Sequence, residues 1–232
     1  MLYIIKNLTK TYGEGNAKTV ALNNISLEIP ESKLAVILGA SGSGKSTLLN
    51  ILGCMDSPTS GGVYFKGGDI TKLNRKKMTD FRAKNIGFVF QSYNLLQDLT
   101  ALENVEFSTE LSGIKNIEAK NALEQLELKD RLNNFPKQLS GGEQQRVSIA
   151  RAIAKKPEVL LCDEPTGALD LKTGIKVLEV LVNIHKKFGT SILIITHNSS
   201  IAKIADMVIT LQSGEIKSIE NNMPVSVSEV AW

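Results

Sequence analysis

A glycine-rich loop between an apolar run and a helical segment constrains this chain more than any other feature of its sequence. The run Leu34–Leu38 fits a strand buried on both faces, and Gly-Ala-Ser-Gly-Ser-Gly-Lys-Ser follows it at residues 39–46. This octapeptide matches the pattern G-x-x-x-x-G-K-[ST], in which glycines let several backbone N–H groups face one centre. The helix that follows adds partial positive charge at its N-terminus. The sequence therefore predicts a site for a triphosphate.

The residues of this loop have distinct expected roles. Lys45 is expected to contact the β- and γ-phosphates, and the hydroxyl of Ser46 is expected to ligate Mg²⁺. The alternative is a glycine turn without a ligand, but the loop, the lysine, the hydroxyl and the flanking segments all agree with phosphate binding. The candidate nucleotide-binding residues here are Gly39, Ser41, Gly42, Ser43, Gly44, Lys45, Ser46 and Thr47.

A second apolar strand, predicted at residues 159–162, is followed by two carboxylates, Asp163 and Glu164. In open parallel sheets, ligands bind beyond the carboxyl ends of the strands. Consecutive side chains of a strand point to opposite sides, so we do not expect the two acids to share one proton. We expect Asp163 to hold Mg²⁺, directly or through water, and Glu164 to be the general base that polarises the attacking water.

A second glycine turn, at residues 139–146, has the sequence Leu-Ser-Gly-Gly-Glu-Gln-Gln-Arg and opens a helical segment. Ser140 is a favourable N-cap, and Glu143 three residues later completes a capping box. The turn is therefore either a helix cap alone or, because it exposes backbone N–H groups and a hydroxyl, a second anion site. A chain with one phosphate loop has no need of a second anion site on the same nucleotide.

The order of strand-like and helical segments predicts an α/β fold with a mostly parallel sheet. Helical spacing prevails from residue 92 to 154, which predicts an inserted helical subdomain. The predicted strands are residues 2–8, 20–29, 34–38, 86–90, 159–162, 192–196 and 207–211, and the clearest helices are 116–126, 142–154 and 172–188.

Local signals predict where several of these elements end. Gly53 is expected at the C′ position of the helix after the phosphate loop, and residues 12–16 are expected to form a turn. The helix at 172–188 is expected to stop at Gly189. Its predicted apolar stripe consists of Ile175, Leu178, Leu181 and Val182.

Composition and charge exclude several classes of protein. The chain has 232 residues, and 27 basic against 24 acidic side chains give a net charge of +3, too small to favour nucleic acid as the main partner. A hydrophobic fraction of 42% is that of a globular protein. Cys54 and Cys162 are expected to be reduced, packed thiols. Because no apolar run reaches the ~18 residues of a membrane span and the N-terminus is unlike a signal peptide, we expect a cytosolic protein.

Residues 139–144 resemble the signature motif of ATP-binding cassette (ABC) ATPases. With the phosphate loop and the acidic strand, the resemblance covers nearly the whole chain. It implies a P-loop NTPase fold with an N-terminal antiparallel β region and an inserted α-helical subdomain, and an ATPase that uses ATP and Mg²⁺. It also implies a single nucleotide-binding domain, with a RecA-like core and β subdomain at 1–91 and 155–220, the helical subdomain at 92–154 and a tail at 221–232.

The same resemblance implies roles for residues outside the phosphate loop. Gln91 is similar to the Q-loop glutamine, which senses Mg²⁺ and the attacking water, and His197 to the switch histidine on the γ-phosphate. Asp170 resembles the D-loop aspartate at a dimer interface, and Tyr12 the aromatic platform for adenine. The signature residues, acting on the other subunit of a head-to-tail homodimer, would be Ser140, Gly141, Gly142 and Gln144. The implied catalytic residues are Glu164, His197 and Gln91, and the implied metal ligands are Ser46, Gln91 and Asp163.

Three further segments resemble one particular branch of the family. Residues 51–56, 87–91 and 163–170 are similar to the MacB/LolD branch, whose members energise permeases that export or extract macrolides, antimicrobial peptides or lipoproteins. This implies a role in transport or antibiotic efflux, a separate integral membrane permease of FtsX/MacB type, a membrane-fusion adaptor, and a location at the cytoplasmic face of the membrane.

Docking to such a permease is expected beside Gln91 and along residues 92–105. Four leucines of this stretch face either the permease or the core, and we expect half of them in the core; they are Leu95, Leu96, Leu99 and Leu102. Glu143 stands where many family members have glutamine. We expect this difference to have little effect on binding, because Glu143 lies past the glycines.

Two other functions remain open. One is an FtsE-like, nucleotide-gated regulator of a membrane partner in cell division, which the sequence separates poorly from a transport subunit. The other is an ABC ATPase of DNA repair or translation. It fits less well, because the segment between Ser46 and Leu139 shows no coiled-coil heptads and the chain carries one cassette.

Overall fold

The computed structural model describes residues 1–230, except for the side chain of Asn16. Ala231 and Trp232, the end of the predicted tail, lie outside the described residues. The strands are β1 (Tyr3–Tyr12), β2 (Thr19–Ile29), β3 (Leu34–Leu38), β4 (Ser60–Phe65), β5 (Gly68–Asp69), β6 (Ile86–Val89), β7 (Val159–Asp163), β8 (Ser191–Thr196), β9 (Met207–Gln212) and β10 (Glu215–Asn221). The α-helices are α1 (Lys45–Leu52), α2 (Arg75–Asn85), α3 (Ala101–Leu111), α4 (Ile117–Gln125), α5 (Gly141–Ile153) and α6 (Leu171–Phe188).

The chain forms two compact units, one made of Met1–Arg82 with Ser191–Trp232 and the other of Ala83–Thr190. In the first unit, β2, β1, β4 and β5 form an antiparallel sheet in that order. Tyr3 of β1 is fully buried, and its hydroxyl donates a 2.9 Å hydrogen bond to the carbonyl of Leu52. The N-terminal antiparallel region implied by the sequence is confirmed.

The first unit also contains β3 between β8 and β9, both of which run parallel to it. Every residue of β8 is buried, as are four of the five residues of β3. Strands buried on both faces have nearly continuous apolar sequences, which is why the sequence predicted these two strands. The strand β10 pairs antiparallel with β9 and was not predicted, because most of it is exposed and charged residues occupy three of its exposed positions, Glu215, Lys217 and Glu220.

Two predicted element ends were wrong. Tyr12 is the last residue of β1 and not part of a turn, because its pairing with Thr19 of β2 continues the strand. Gly53 caps α1 with an ordinary φ of −86°, and Cys54 takes the left-handed conformation with a φ of 54°. At α6, by contrast, Gly189 ends the helix with a φ of 66°, as predicted.

The second unit pairs β6 and β7 in parallel and contains α3 to α6. The buried face of α6 consists of Gly174, Val177, Leu178, Leu181 and Ile184, whereas Ile175 and Val182 of the predicted stripe are half-buried. Because glycine has no apolar side chain, the sequence pattern did not include Gly174. The predicted apolar stripe of α6 is therefore shifted by one position from the buried face. The alternation of strands and helices confirms an α/β fold, and the domain division inferred from the resemblance stays a prediction.

Both cysteines are buried thiols without a disulfide, as expected. Burial raises the pKa of Cys54 to about 11 and also raises that of Cys162. Within residues 1–230, no helix has the length and apolar character needed to cross a membrane.

Candidate functional site

The phosphate loop joins the end of β3 to the start of α1 in the first unit. Gly42 and Gly44 have φ angles of 77° and 101°, which side-chain-bearing residues rarely adopt. A methyl group on Gly44 would lie 2.4 Å from the carbonyl oxygen of Ala21. The loop's path therefore depends on glycine at this position for both conformation and space.

Lys45 extends back along this loop. Its side chain is buried, and Nζ donates to the carbonyl oxygens of Gly39 at 2.7 Å and Ala40 at 2.9 Å. Ser43 is also buried, and its Oγ has no hydrogen-bond partner among the described residues. An ammonium group and an unpartnered buried hydroxyl in one glycine-rich loop fit an oxyanion ligand such as a phosphate. Ser41 and Ser46 are exposed, and Ser46 lies in the first turn of α1.

Tyr12 is held by side chains of the same unit. Its hydroxyl donates a 2.7 Å hydrogen bond to Oδ2 of Asp56, and the Thr47 side chain of α1 lies near enough to lower the pKa of the phenol. The Nζ atom of Lys10 lies 4.7 Å from the centre of the Tyr12 ring and donates to Oδ1 of Asp56. Tyr12 as a whole is still 43% exposed, which leaves room for a flat ligand to stack on its ring. The structure thus brings together two predicted binding residues, Tyr12 and Thr47.

Asp56 was not identified from the sequence, yet it fixes the orientation of Tyr12. Burial raises the pKa of Asp56, but hydrogen bonds from Lys10, Tyr12 and the Ser57 N–H together lower it by more. The pKa of Asp56 is therefore below its usual value. Burial and the hydrogen bond to Asp56 raise the pKa of Tyr12. The phenol therefore remains a donor to an ionised carboxylate at neutral pH.

His197 follows β8 in the first unit and is exposed. The turn after it is built by short side-chain contacts. The Asn198 N–H donates to Oγ1 of Thr196 at 3.1 Å, and the Ser200 N–H donates to Oδ1 of Asn198 at 2.9 Å. His197 is thereby presented from the end of a fully buried strand.

In the second unit, β7 ends at Asp163, and Glu164 has a left-handed φ of 45°. Glu164 therefore lies outside the strand, so strand alternation does not decide how its side chain and that of Asp163 point relative to each other. A methyl group on Gly167 would lie 2.9 Å from Nε2 of Gln91 and 3.4 Å from Cβ of Glu164. The structure thus brings Gln91 and Glu164 to the same glycine.

The second glycine turn forms the N-terminus of α5, and the predicted capping box is present. The Ser140 N–H donates to Oε2 of Glu143 at 2.8 Å, and the Glu143 N–H donates to Oγ of Ser140 at 3.3 Å. Ser140 is exposed and Gly142 is buried. Gln144, predicted to act with them, donates from Nε2 to the carbonyl of Leu139 at 3.1 Å.

The turn after β7 and the second glycine turn lie next to each other within the second unit. Asp170 caps α6 by accepting a hydrogen bond from the Thr173 N–H at 3.1 Å, and the Thr173 side chain and N–H together lower the pKa of Asp170. A methyl group on Gly142 would lie 2.2 Å from Cγ2 of Thr173. Gln145, which no sequence motif marks, is buried and donates from Nε2 to the carbonyl of Pro165 at 2.8 Å.

The predicted Mg²⁺ donors are divided between the units, with Ser46 in the first and Gln91 and Asp163 in the second. They offer a hydroxyl, an amide oxygen and a carboxylate, the hard oxygen ligands that Mg²⁺ prefers together with substrate phosphates. Within residues 1–230, no three His, Cys, Asp or Glu side chains group so as to hold a metal ion.

Comparison with known proteins gives concordant results. A family model described as ABC transporter matches residues 22–167. The chain is 44% identical over 216 residues to the lipoprotein-releasing system ATP-binding protein LolD of Geobacter metallireducens, covering 91% of this chain and 96% of LolD. It is 42% identical over 235 residues to the macrolide export ATP-binding/permease protein MacB of Vibrio parahaemolyticus. That match covers 100% of this chain but 36% of MacB, so the chain spans about a third of that relative's length.

A solved structure agrees with the sequence relatives. It is a dimeric ATP-binding cassette of Methanocaldococcus jannaschii in a post-hydrolysis state, bound to ADP and Pi. The two structures match with a TM-score of 0.88 and 41% sequence identity, covering 96% of this chain and 100% of that chain.

Proposed function

Since the chain belongs to the ABC transporter family and is one of its ATP-binding, ATP-hydrolysing subunits, we propose that two copies close around two ATP molecules and drive a membrane permease. The observation that carries the proposal is the phosphate loop, with Lys45 and the unpartnered Ser43 hydroxyl. The exposed turn at Ser140 is explained if it binds the nucleotide of the other copy. The dimeric state of the solved relative bound to ADP and Pi supports this arrangement.

In this proposal, Lys45 changes its hydrogen-bond partners when ATP binds, before hydrolysis. Its ammonium group leaves the carbonyls of Gly39 and Ala40 and contacts the β- and γ-phosphates. Glu164 polarises the attacking water, while Gln91 orients that water and His197 contacts the γ-phosphate. Bound Mg²⁺, held by Ser46 and Asp163 and sensed by Gln91, would neutralise charge on the β- and γ-phosphate oxygens.

Adenine is proposed to stack on the exposed ring of Tyr12. The support is the fixed orientation of the ring, which Asp56 holds by the hydroxyl. Lys10 lies over the ring and adds positive charge beside the nucleotide. Asp170, which caps α6, is proposed to lie at the interface of the two copies.

A surface of the second unit supports docking to a membrane permease. Phe107 and Leu111, one helical turn apart on α3, are 47% and 68% exposed, and Leu96 is 43% exposed. Large exposed apolar side chains of this kind commonly mark interaction sites. Of the other leucines considered, Leu95 is buried, whereas Leu99 and Leu102 are half-buried. We propose that Leu96, Phe107 and Leu111 contact the permease, at the cytoplasmic face of the membrane.

The cargo is proposed to be lipophilic or membrane-bound, such as macrolides, antimicrobial peptides or lipoproteins. Support comes from the functions for which two relatives are named, macrolide export for MacB and lipoprotein release for LolD. An FtsX/MacB-type permease and a membrane-fusion adaptor complete the proposed system. The division into a core at 1–91 and 155–220 and a helical subdomain at 92–154 belongs to the same proposal.

Replacing the proposed base tests the dimer and the hydrolysis step together. Glu164→Gln is expected to retain ATP binding, to lower turnover by about 10²–10⁴-fold, and to sediment as a dimer with ATP and Mg²⁺. The matched control is Glu179→Gln, an exposed position on α6, which should turn over and sediment like the unmodified protein. Unchanged turnover of Glu164→Gln, or a monomer at saturating ATP, would contradict the proposal.

Capture of the membrane partner tests the transport role. Tagged protein, with Leu111→Glu as the control that should lose binding, is used to isolate proteins from detergent-solubilised membranes. A transport permease in the captured fraction supports the proposal. Capture of division proteins alone favours the FtsE-like alternative.

A further inference from the structure

At the second glycine turn, the Ser140 side chain makes its hydrogen bonds with one residue, Glu143. Its Oγ–H donates to Oε2 of Glu143 at 2.8 Å, and its backbone N–H donates to the same oxygen, also at 2.8 Å. Its Oγ accepts the Glu143 N–H at 3.3 Å. Both polar hydrogens of Ser140 therefore point toward Glu143.

Glu143 is itself held from the other side. Nε of Arg131 donates to Oε1 of Glu143 at 2.8 Å, and the Glu143 side chain is only 19% exposed. Arg131 lies in a single 3-10 turn, Lys129–Arg131, separate from α5. The Arg131 and Ser140 hydrogen bonds lower the pKa of Glu143 to about 2, so the carboxylate is ionised at neutral pH.

This arrangement keeps the Ser140 hydroxyl from binding an anion at the turn. A phosphate is bound by donors, and the Ser140 hydroxyl cannot donate outward while it donates to Glu143. The Glu143 charge, 2.8 Å behind the hydroxyl oxygen, also opposes an approaching phosphate, and Arg131 offsets that charge. Ser140 can therefore donate to the partner's ATP only after its hydroxyl is released from Glu143.

We propose that Glu143, balanced by Arg131, is a positioning residue that sets the ATP concentration at which two copies close. The inference rests on the proposed function, because it requires Ser140 to meet the nucleotide of the other copy. It replaces the expectation that Glu143 has little effect on binding. Glutamine at this position preserves the capping box, since either residue can accept the N-cap N–H, but it removes the charge.

The chain contains a matched control for the capping role. At the start of α3, the Thr100 N–H and the Thr100 hydroxyl each donate to Oε2 of Glu103 at 2.7 Å, and the Glu103 N–H donates to Oγ1 of Thr100 at 3.3 Å. This is the same hydrogen-bond pattern in the same unit, on a helix that carries no proposed nucleotide ligand. Glu103→Gln therefore reports what loss of the charge does to a capped helix alone.

The experiment measures ATP-dependent dimerisation by sedimentation in a Glu164→Gln parent, which closes without hydrolysing. Adding Glu143→Gln is expected to lower the ATP concentration at half-dimerisation by about twofold to fivefold, and adding Arg131→Gln to raise it by a similar factor. Combining the two should match Glu143→Gln, because Arg131 acts through Glu143. Glu103→Gln should leave the midpoint unchanged. Binding of a fluorescent ATP analogue to dilute monomer should be equal in all variants, since the turn acts only across the dimer.

The outcomes separate the inference from the proposed function. A parent that stays monomeric with ATP and Mg²⁺ overturns both. A parent that dimerises, with Glu143→Gln and Glu103→Gln giving the same midpoint, overturns the inference alone. Altered monomer binding in Glu143→Gln would also overturn it, because the effect would then arise within one subunit.

Discussion

Arg151 on α5 donates a 2.9 Å hydrogen bond from Nη2 to the carbonyl oxygen of Tyr93, and Nη1 donates to the next carbonyl, that of Asn94, at 2.5 Å. Tyr93 and Asn94 both have left-handed φ angles, 61° and 49°. A methyl group on Gly141, the first residue of α5, would lie 2.9 Å from the Tyr93 hydroxyl. The loop that follows Gln91 is therefore held to α5 at both ends of that helix.

Removing this guanidinium should loosen the loop. Arg151→Ala leaves two carbonyls without charged donors and is expected to lower the free energy of unfolding by about 2–3 kcal/mol. Arg151→Lys should recover only part of that loss, because an ammonium group cannot donate to both carbonyls in the fork geometry. Urea denaturation measures the stability, and amide hydrogen exchange should accelerate at residues 92–96. Arg75→Ala, at an exposed position of α2, is the control. Unchanged exchange at 92–96 in Arg151→Ala would contradict the prediction.

Because Gly142 lies against Thr173, we expect mutations at these two positions to have non-additive effects on the free energy of unfolding. Gly142→Ala places Cβ 2.2 Å from Cγ2 of Thr173, so it is expected to destabilise the protein by about 1–3 kcal/mol. Thr173→Ser removes that methyl group, and Gly142→Ala should cost less in this background. Chemical denaturation of the single and double variants gives the coupling energy, expected near 1 kcal/mol. Additive losses would show that the clash is relieved elsewhere.

Two glycines of the phosphate loop should respond differently to the same change. Gly42→Ala meets nothing within 4 Å and is strained only by its φ of 77°, a cost of about 1–2 kcal/mol. Gly44→Ala has a φ of 101° and also brings Cβ to 2.4 Å from the Ala21 carbonyl, a backbone atom that cannot rotate away. We expect Gly44→Ala to lower both the melting temperature and the affinity for a fluorescent ATP analogue more than Gly42→Ala. Equal effects would argue against a steric role for Gly44.

The sequence predicted those elements whose signals are local. The strands β3 and β8 are almost entirely buried and consist of apolar residues apart from Ser191 and Thr196 at the two ends of β8, and the phosphate loop combines glycine spacing, lysine and hydroxyl in one segment. The strand β10 has no such signal, because it is defined by pairing with β9 and its side chains are largely exposed. The end of β1 at Tyr12 likewise depends on its partner strand, which a local turn pattern cannot show.

The residues that support the candidate site were missed for the same reason. Asp56 orients Tyr12, Gln145 binds the carbonyl of Pro165, and Arg151 holds the loop after β6. Each acts on a partner distant in sequence, so no motif marks it. Glu164 was identified by its position after an apolar strand, but its left-handed backbone could be found only in the structure.

Glu143 should give the protein a specific dependence of stability on pH. Arg131 and the Ser140 N–H lower its pKa from 4.5 to about 2 in the folded state. A lowered folded-state pKa stabilises the protein fully above the unfolded-state pKa, near 4.5, and this contribution is lost as the pH falls toward 2. Wild-type protein should therefore exceed Glu143→Gln in free energy of unfolding at pH 7, and the difference should shrink between pH 5 and pH 3. Urea unfolding at pH 7, 5, 4 and 3 measures it. In an Arg131→Gln background the shrinkage should be smaller, because Arg131 is the largest cause of the lowered pKa. A difference that stays constant from pH 7 to pH 3 would show that Glu143 does not titrate with folding.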